Sequence, residues 1–222
     1  RAGGIADFNI DLIAGLAGQT PGSWEQSLDS TLALAPPHVS VYMLEVDEDS
    51  RLGLEILNNG ERYGARDIPG DEAIASMYER AVDRLSAAGI ARYEISNLAQ
   101  SGRESRHNLK YWRLEEYLGF GADAHSFSGG RRWQNVETAQ DYAAAVDVRA
   151  ESTAANAAEE RFFVGLRLSE GVSPSEDEWA RHAEVIDRFL RDGLLERDAT
   201  HLRLTARGIL LSNEVFQEFL AA

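Results

Sequence analysis

The chain has 222 residues, with 37 acidic against 22 basic side chains, a net charge of −15 and no cysteine. Such a field repels nucleic acid and anionic membrane surfaces. Without thiolates the chain alone cannot build disulfides, thiolate zinc sites or a cysteine-held iron–sulfur cluster. The hydrophobic fraction of 44% supports one large core or two modest ones. No apolar run nears the roughly 18 residues of a membrane span and no signal segment opens the chain, which points to a cytoplasmic location.

Phe8 to Gly15 reads as a near-continuous apolar strand of the kind found inside parallel sheets. It begins almost at the first residue, so the neighbours it needs lie outside this chain and the sequence reads as part of a longer protein. Thr20 followed by Pro21 starts a helix that carries Trp24, Leu28, Leu32 and Ala35 at helical spacing and stops at Pro36-Pro37. A second strand runs from His38 to Leu44. Strand, helix and strand make one βαβ unit, hence an α/β fold with parallel strands and a right-handed crossover. Ligands in such sheets sit beyond the carboxyl ends of the strands, which puts Gly15 to Gln19 and Glu45 to Asp47 on the working face.

Residues 50–70, rich in Gly, Asn and charge, read as an excursion or flexible loop. A helix from Asp71 to about Ala88 presents Ile74, Met77, Tyr78, Ala81, Val82 and Leu85 on one face and ends at Gly89. Tyr93 to Asn97 reads as a short strand, Arg132 to Asn135 as another, and Thr138 to Val146 as a short helix. From Asn156 two helices, around Phe162 to Leu168 and around Ile186 to Leu190, precede a hairpin of Leu194 to Glu196 and Leu202 to Leu204. A last helix, capped by Thr205, carries Leu210, Leu211, Val215, Phe216 and Phe219. Helix, helix, hairpin and helix form a small winged-helix-like domain. Its second helix carries both charge signs, which argues against DNA reading.

The densest chemistry lies in His107-Asn108-Leu109-Lys110-Tyr111-Trp112. On a helix His107 and Tyr111 share a face, and an imidazole with neighbouring rings suits an iron-centred planar macrocycle. The same residues also read as a hydrogen-bonding histidine, a core aromatic pair and an Asn108 helix cap. His125 follows Gly119 and Gly121, which allow close backbone approach, or form a structural turn. His38, His182 and His201 have no supportive neighbours. Asp11, a carboxylate inside an apolar strand, needs either a ligand to receive or a salt bridge to a neighbouring strand. Gly15-Leu16-Ala17-Gly18 lacks a P-loop lysine and is a weak phosphate signal.

Taken in order, Asn9 to Ile13 with Gly15 to Thr20, Val39 to Tyr42, Tyr93 to Asn97, His107-Asn108 with Tyr111-Trp112, and Gly119 to Ser126 resemble the coproporphyrinogen III oxidase-like radical SAM family, in its heme chaperone branch. The resemblance covers essentially the whole chain. It implies the C-terminal part of a partial (β/α)6 barrel followed by the winged-helix-like domain: residues 1–50 as the last βαβ unit, 51–150 as a family-specific linker with the HNxxYW region, and 151–222 as the C-terminal domain. It also implies that Asp11, with Tyr42 and Glu45, helps hold S-adenosylmethionine. His107, Asn108, Tyr111 and Trp112 match the motif tied to heme, with His107 as the candidate iron ligand, and the heme is passed to respiratory proteins.

Three departures accompany this resemblance. The CxxxCxxC loop for a [4Fe-4S] cluster is absent, so are the earlier strands with their glycine-rich motif, and Ala17 stands where the family usually has proline. Radical chemistry by this chain alone is therefore excluded. Two further readings are an incomplete portion of an oxygen-independent coproporphyrinogen III oxidase, and a winged-helix interaction module beside a degenerate barrel. Open sheet edges make homodimerisation an expectation.

Overall fold

The computed structural model describes residues 4–220, and the chain divides into two compact units between Glu104 and Ser105. In the first, β1 (Asn9–Ala14) and β2 (His38–Met43) pair in parallel, with Asp11 opposite Ser40 and Ile13 opposite Tyr42. They are joined by α1 (Pro21–Leu34), whose start follows from its sequence. Thr20 and Ser23 exchange side-chain and backbone hydrogen bonds in a capping box, and Pro21 occupies a position where no amide hydrogen is needed. There follow α2 (Arg51–Leu57), a 3-10 stretch (Arg62–Asp67), α3 (Asp71–Ala87), β3 (Ala91–Glu94) and β4 (Asn97–Ala99).

The sheet order is β1-β2-β4-β3, with β4 antiparallel to both neighbours. Strand alternation sends Ala14, Val39 and Val41 to the helix side, where Trp24 and Leu28 of α1 and Ile74, Met77, Tyr78, Ala81 and Leu85 of α3 bury their apolar faces. The Trp24 indole donates to the Met77 carbonyl at 2.7 Å, and the Tyr78 hydroxyl donates to the Ile95 carbonyl. Burial pushes the Tyr78 phenol up to about 12.

Three expectations need correction here. Residues 50–70 are not a flexible loop: Ser50 caps α2 by accepting from Gly53 N, and the 3-10 stretch follows. Tyr93 to Asn97 is not one strand but the bend of a hairpin, because Ile95 and Ser96 turn the chain between β3 and β4. Asp11 is exposed rather than buried, since β1 is an edge strand among the described residues and Asp11 points away from the helices.

The second unit starts with α4 (Arg106–Trp112) and a three-stranded antiparallel sheet of β5 (His125–Ser128), β6 (Arg131–Asn135) and β7 (Arg149–Ala154), with α5 (Ala139–Ala144) between the last two. Then come α6 (Ala157–Gly165), α7 (Glu176–Arg181), α8 (Ala183–Arg191), β8 (Leu195–Arg197), β9 (Leu202–Leu204), α9 (Ala206–Leu210) and α10 (Ser212–Leu220). The hairpin of β8 and β9 and the Thr205 cap on Gly208 N occur as the sequence predicts. β7 has no apolar alternation and so carries no sequence signal, α7 opens on a capping box of Ser175 and Glu178 that the sequence reading missed, and the last helix is broken at Leu211. Phe162, His182 and Phe219 centre the core, with the two phenyl rings stacked at 5.1 Å. No helix among the described residues is long and apolar enough to cross a membrane.

Candidate functional site

Two places gather chemistry, one in each unit. On the sheet face of the first unit that points away from the helices, Asn9 and Asp11 of β1 lie beside His38 and Ser40 of β2, and Ser40 lies opposite Asn97 of β4. The Asn9 amide donates to Asp11 Oδ1 at 2.6 Å and to Ser40 Oγ at 2.9 Å, while Asn9 Oδ1 is 2.7 Å from His38 Nδ1. His38 Nε2 is 2.9 Å from the Tyr93 hydroxyl. With Asn9 accepting, Nδ1 carries a proton, and the Tyr93 hydroxyl donates to Nε2 of a neutral ring or accepts from a charged one.

Burial holds the His38 pKa below 6.5, only partly offset by Asp11 and Glu104. In the window between the lowered folded value and 6.5 the unfolded chain binds more protons. Stability is therefore complete above 6.5 and is lost as pH falls through that window. An NMR titration of the His38 ring should show a midpoint below 6.5, and a midpoint at or above it contradicts the burial of the ring.

Tyr42 shares the face of Asp11 and is exposed, and Glu45, also exposed, lies two residues beyond the end of β2. Asn97 Oδ1 is buried on this face without a hydrogen-bond partner. The loop after β1 is held by its own Gln19, whose Oε1 accepts from Gly15 N at 2.6 Å and whose amide donates to the Ile13 carbonyl. Gly15 has φ +99, and a Cβ there would come within 2.7 Å of Ile74 Cδ1, so this position needs glycine. The sequence left His38 without neighbours. Its partners Asn9 and Tyr93 lie 29 and 55 residues away, and only strand pairing supplies them.

In the second unit α4 carries the aromatic motif. Ser105, not Asn108, caps it by accepting from Asn108 N, so Asn108 is a first-turn residue. His107 and Tyr111, one turn apart, meet edge to face at 5.0 Å with Nε2 3.1 Å from the tyrosine hydroxyl, and His107 is exposed. Tyr111 and Trp112 enter the wall of a cleft of about 660 Å³. Across the sheet, Tyr117 bridges Phe127 and Phe127 pairs with Arg132, so these three side chains stand in a row on one face. Glu160, Phe163 and Val164 of α6, at helical i, i+3, i+4 spacing, close the other side.

Tyr111 and Tyr117 pack edge to face at 4.6 Å, and the Trp112 indole nitrogen is buried without a hydrogen-bond partner. His125 is exposed and is not among the cleft walls. The glycine run before it is a structural turn, because the Asn135 amide donates to the Gly119 and Gly121 carbonyls. No cluster of three or more histidine or carboxylate ligands exists among the described residues. Arg132 and Glu160, two cleft residues that the sequence did not single out, had one available signal. Glu160 is a charge on the face that Phe163 and Val164 make apolar.

Residues 153–211 match the HemN C-terminal domain family. The chain is 36% identical over 234 residues to the heme chaperone HemW of Bacillus subtilis, covering 98% of this chain and 60% of that protein. It is 32% identical over 232 residues to the heme chaperone HemW of Lactococcus lactis, covering 99% and 60%. Among solved structures, the radical SAM enzyme coproporphyrinogen III oxidase (HemN) from Escherichia coli aligns with a TM-score of 0.76 at 19% identity, over 98% of this chain and 56% of that one. At that identity the likeness is one of fold, and the chain spans 60% or less of the length of each of these relatives.

Proposed function

We infer that this chain belongs to the coproporphyrinogen III oxidase-like family that contains the heme chaperones HemW, and that it is the heme-holding portion of such a chaperone. Heme is then cargo, received in the cleft of the second unit and passed on to respiratory proteins. The observation that carries this reading is the cleft: about 660 Å³ with aromatic walls, and His107 one hydrogen bond from its wall residue Tyr111. That size is ordinary for a cofactor pocket, and such rings cover a planar macrocycle well. His107 would hold the iron through Nε2, the atom that now faces the Tyr111 hydroxyl. Tyr111 and Trp112 make the ring contacts, and Asn108 supports the first turn of their helix.

The polar sheet face of the first unit fits a hydrogen-bonding ligand, since Asp11 is exposed there and Asn97 Oδ1 is buried unpartnered. Asp11, Tyr42 and Glu45 are assigned to S-adenosylmethionine, which supplies radical chemistry only beside a reducing cluster. The [4Fe-4S] cluster does not fit this chain's own residues, because none of the 222 is cysteine. The alternative, a portion of a coproporphyrinogen III oxidase, is favoured only by fold likeness at 19% identity.

The test is a heme titration of the chain followed by absorbance. His107→Ala should lose the ligated Soret band and bind at least about tenfold more weakly. An unchanged band and affinity in the variant remove His107 from the iron.

A further inference from the structure

Within the cleft one side chain is held in a way that the aromatic walls do not explain. Arg132 is the cation among the cleft's mostly aromatic and aliphatic lining residues, its guanidinium 4.6 Å from the centre of the Phe127 ring. It is held by Glu160, with Nε donating to Oε2 at 3.0 Å and a second guanidinium nitrogen donating to the same carboxylate, and Nη1 lies 3.2 Å from the Tyr117 hydroxyl. Both partners are largely shielded, with side-chain exposures of 33% and 18%. Arginine–carboxylate forks are geometrically specific, and one exposed to a ligand cavity can exchange one carboxylate for another. A chain of net charge −15 that receives an acidic ligand also needs a local cation to offset its field.

We propose that Arg132 is the carboxylate anchor of this cleft and Glu160 its built-in stand-in, which a carboxylate of the ligand displaces. The cleft thereby recognises planar macrocycles that carry free acid side chains. This rests on the reading of the cleft as a porphyrin site. Exchange of one carboxylate for another on Arg132 is nearly balanced, so the gain over a neutral ligand is modest while Glu160 competes. A carrier that must release its cargo is served by such a competitor.

The experiment uses metal-free protoporphyrin IX and its dimethyl ester, titrated into the full chain in the same solvent, so that no iron ligand contributes. Glu160→Gln should tighten the diacid by about tenfold or more and leave the ester unchanged, because the anchor no longer has an internal competitor. Arg132→Gln should act in the opposite sense, weakening the diacid by about tenfold or more while again sparing the ester, since it removes the anchor and leaves Glu160 to repel. The opposite signs keep the test decisive if one variant does not fold. Both porphyrins binding, with neither variant discriminating diacid from ester, overturns the anchor and leaves the cleft reading intact. Neither porphyrin binding overturns the cleft reading and the anchor together.

Discussion

Phe162→Ala is expected to destabilise the C-terminal unit by about 3–5 kcal/mol, the usual cost of emptying an aromatic site in a packed core. Phe162 is 1% exposed, stacks on Phe219 at 5.1 Å and lies 4.5 Å from the His182 ring. The cavity cannot collapse easily, because its walls come from helices fixed elsewhere: Phe219 on α10, and His182 at the junction of α7 and α8. His182 already strains this core. Both its ring nitrogens are buried without hydrogen-bond partners, and burial, with Arg181 adding to it, lowers its pKa. Widening the space beside it admits water to that imidazole and relieves the burial that lowers its pKa. Urea unfolding measures the effect, and a loss below about 1 kcal/mol would mean that Phe162 is not a core residue.

The second large effect is expected at Trp24. Trp24→Ala should cost about 3–5 kcal/mol, and Trp24→Phe about 1 kcal/mol. The indole is 2% exposed against α3, and its nitrogen donates to the Met77 carbonyl at 2.7 Å. Phenylalanine keeps most of the buried apolar area and forfeits the hydrogen bond, so the pair of variants separates packing from polar contact. The ion pairs of Glu25 with Arg80 and Arg84, and of Asp29 with Arg84, join the same two helices on their outer side. Such solvent-screened pairs contribute little and will not rescue the alanine variant. Equal losses from both substitutions would assign the whole effect to the hydrogen bond.

Local signals made much of the fold legible. Thr20-Pro21 started α1 where expected, the apolar stripe of Ile74 to Leu85 marked α3, and Gly89 with φ +81 followed its end. These depend on capping and on periodicities of 2 and 3.6 residues, which act over a few positions. Where two weak strands met a tight bend, as at Tyr93 to Asn97, or where a strand had no apolar face, as in β7, composition carried no sign of the pairing. Asp11 looked buried because its strand is apolar. The alternation of side chains and the edge position of β1 put it in the open.

The sequence by itself determined the βαβ unit, the helices and hairpin that follow Asn156, and the absence of any cysteine to hold a cluster in this chain. Tertiary structure alone decided which distant residues face one another. Arg132 and Glu160 lie 28 residues apart, and His38 and Tyr93 lie 55 apart. Strand register put Tyr117, Phe127 and Arg132 in one row, and the packing of α6 brought Glu160 to its end. Helix caps and hydrophobic stripes are set by neighbours along the chain. A cleft is set by which surfaces meet, and that choice belongs to long-range burial and pairing, which no local pattern encodes.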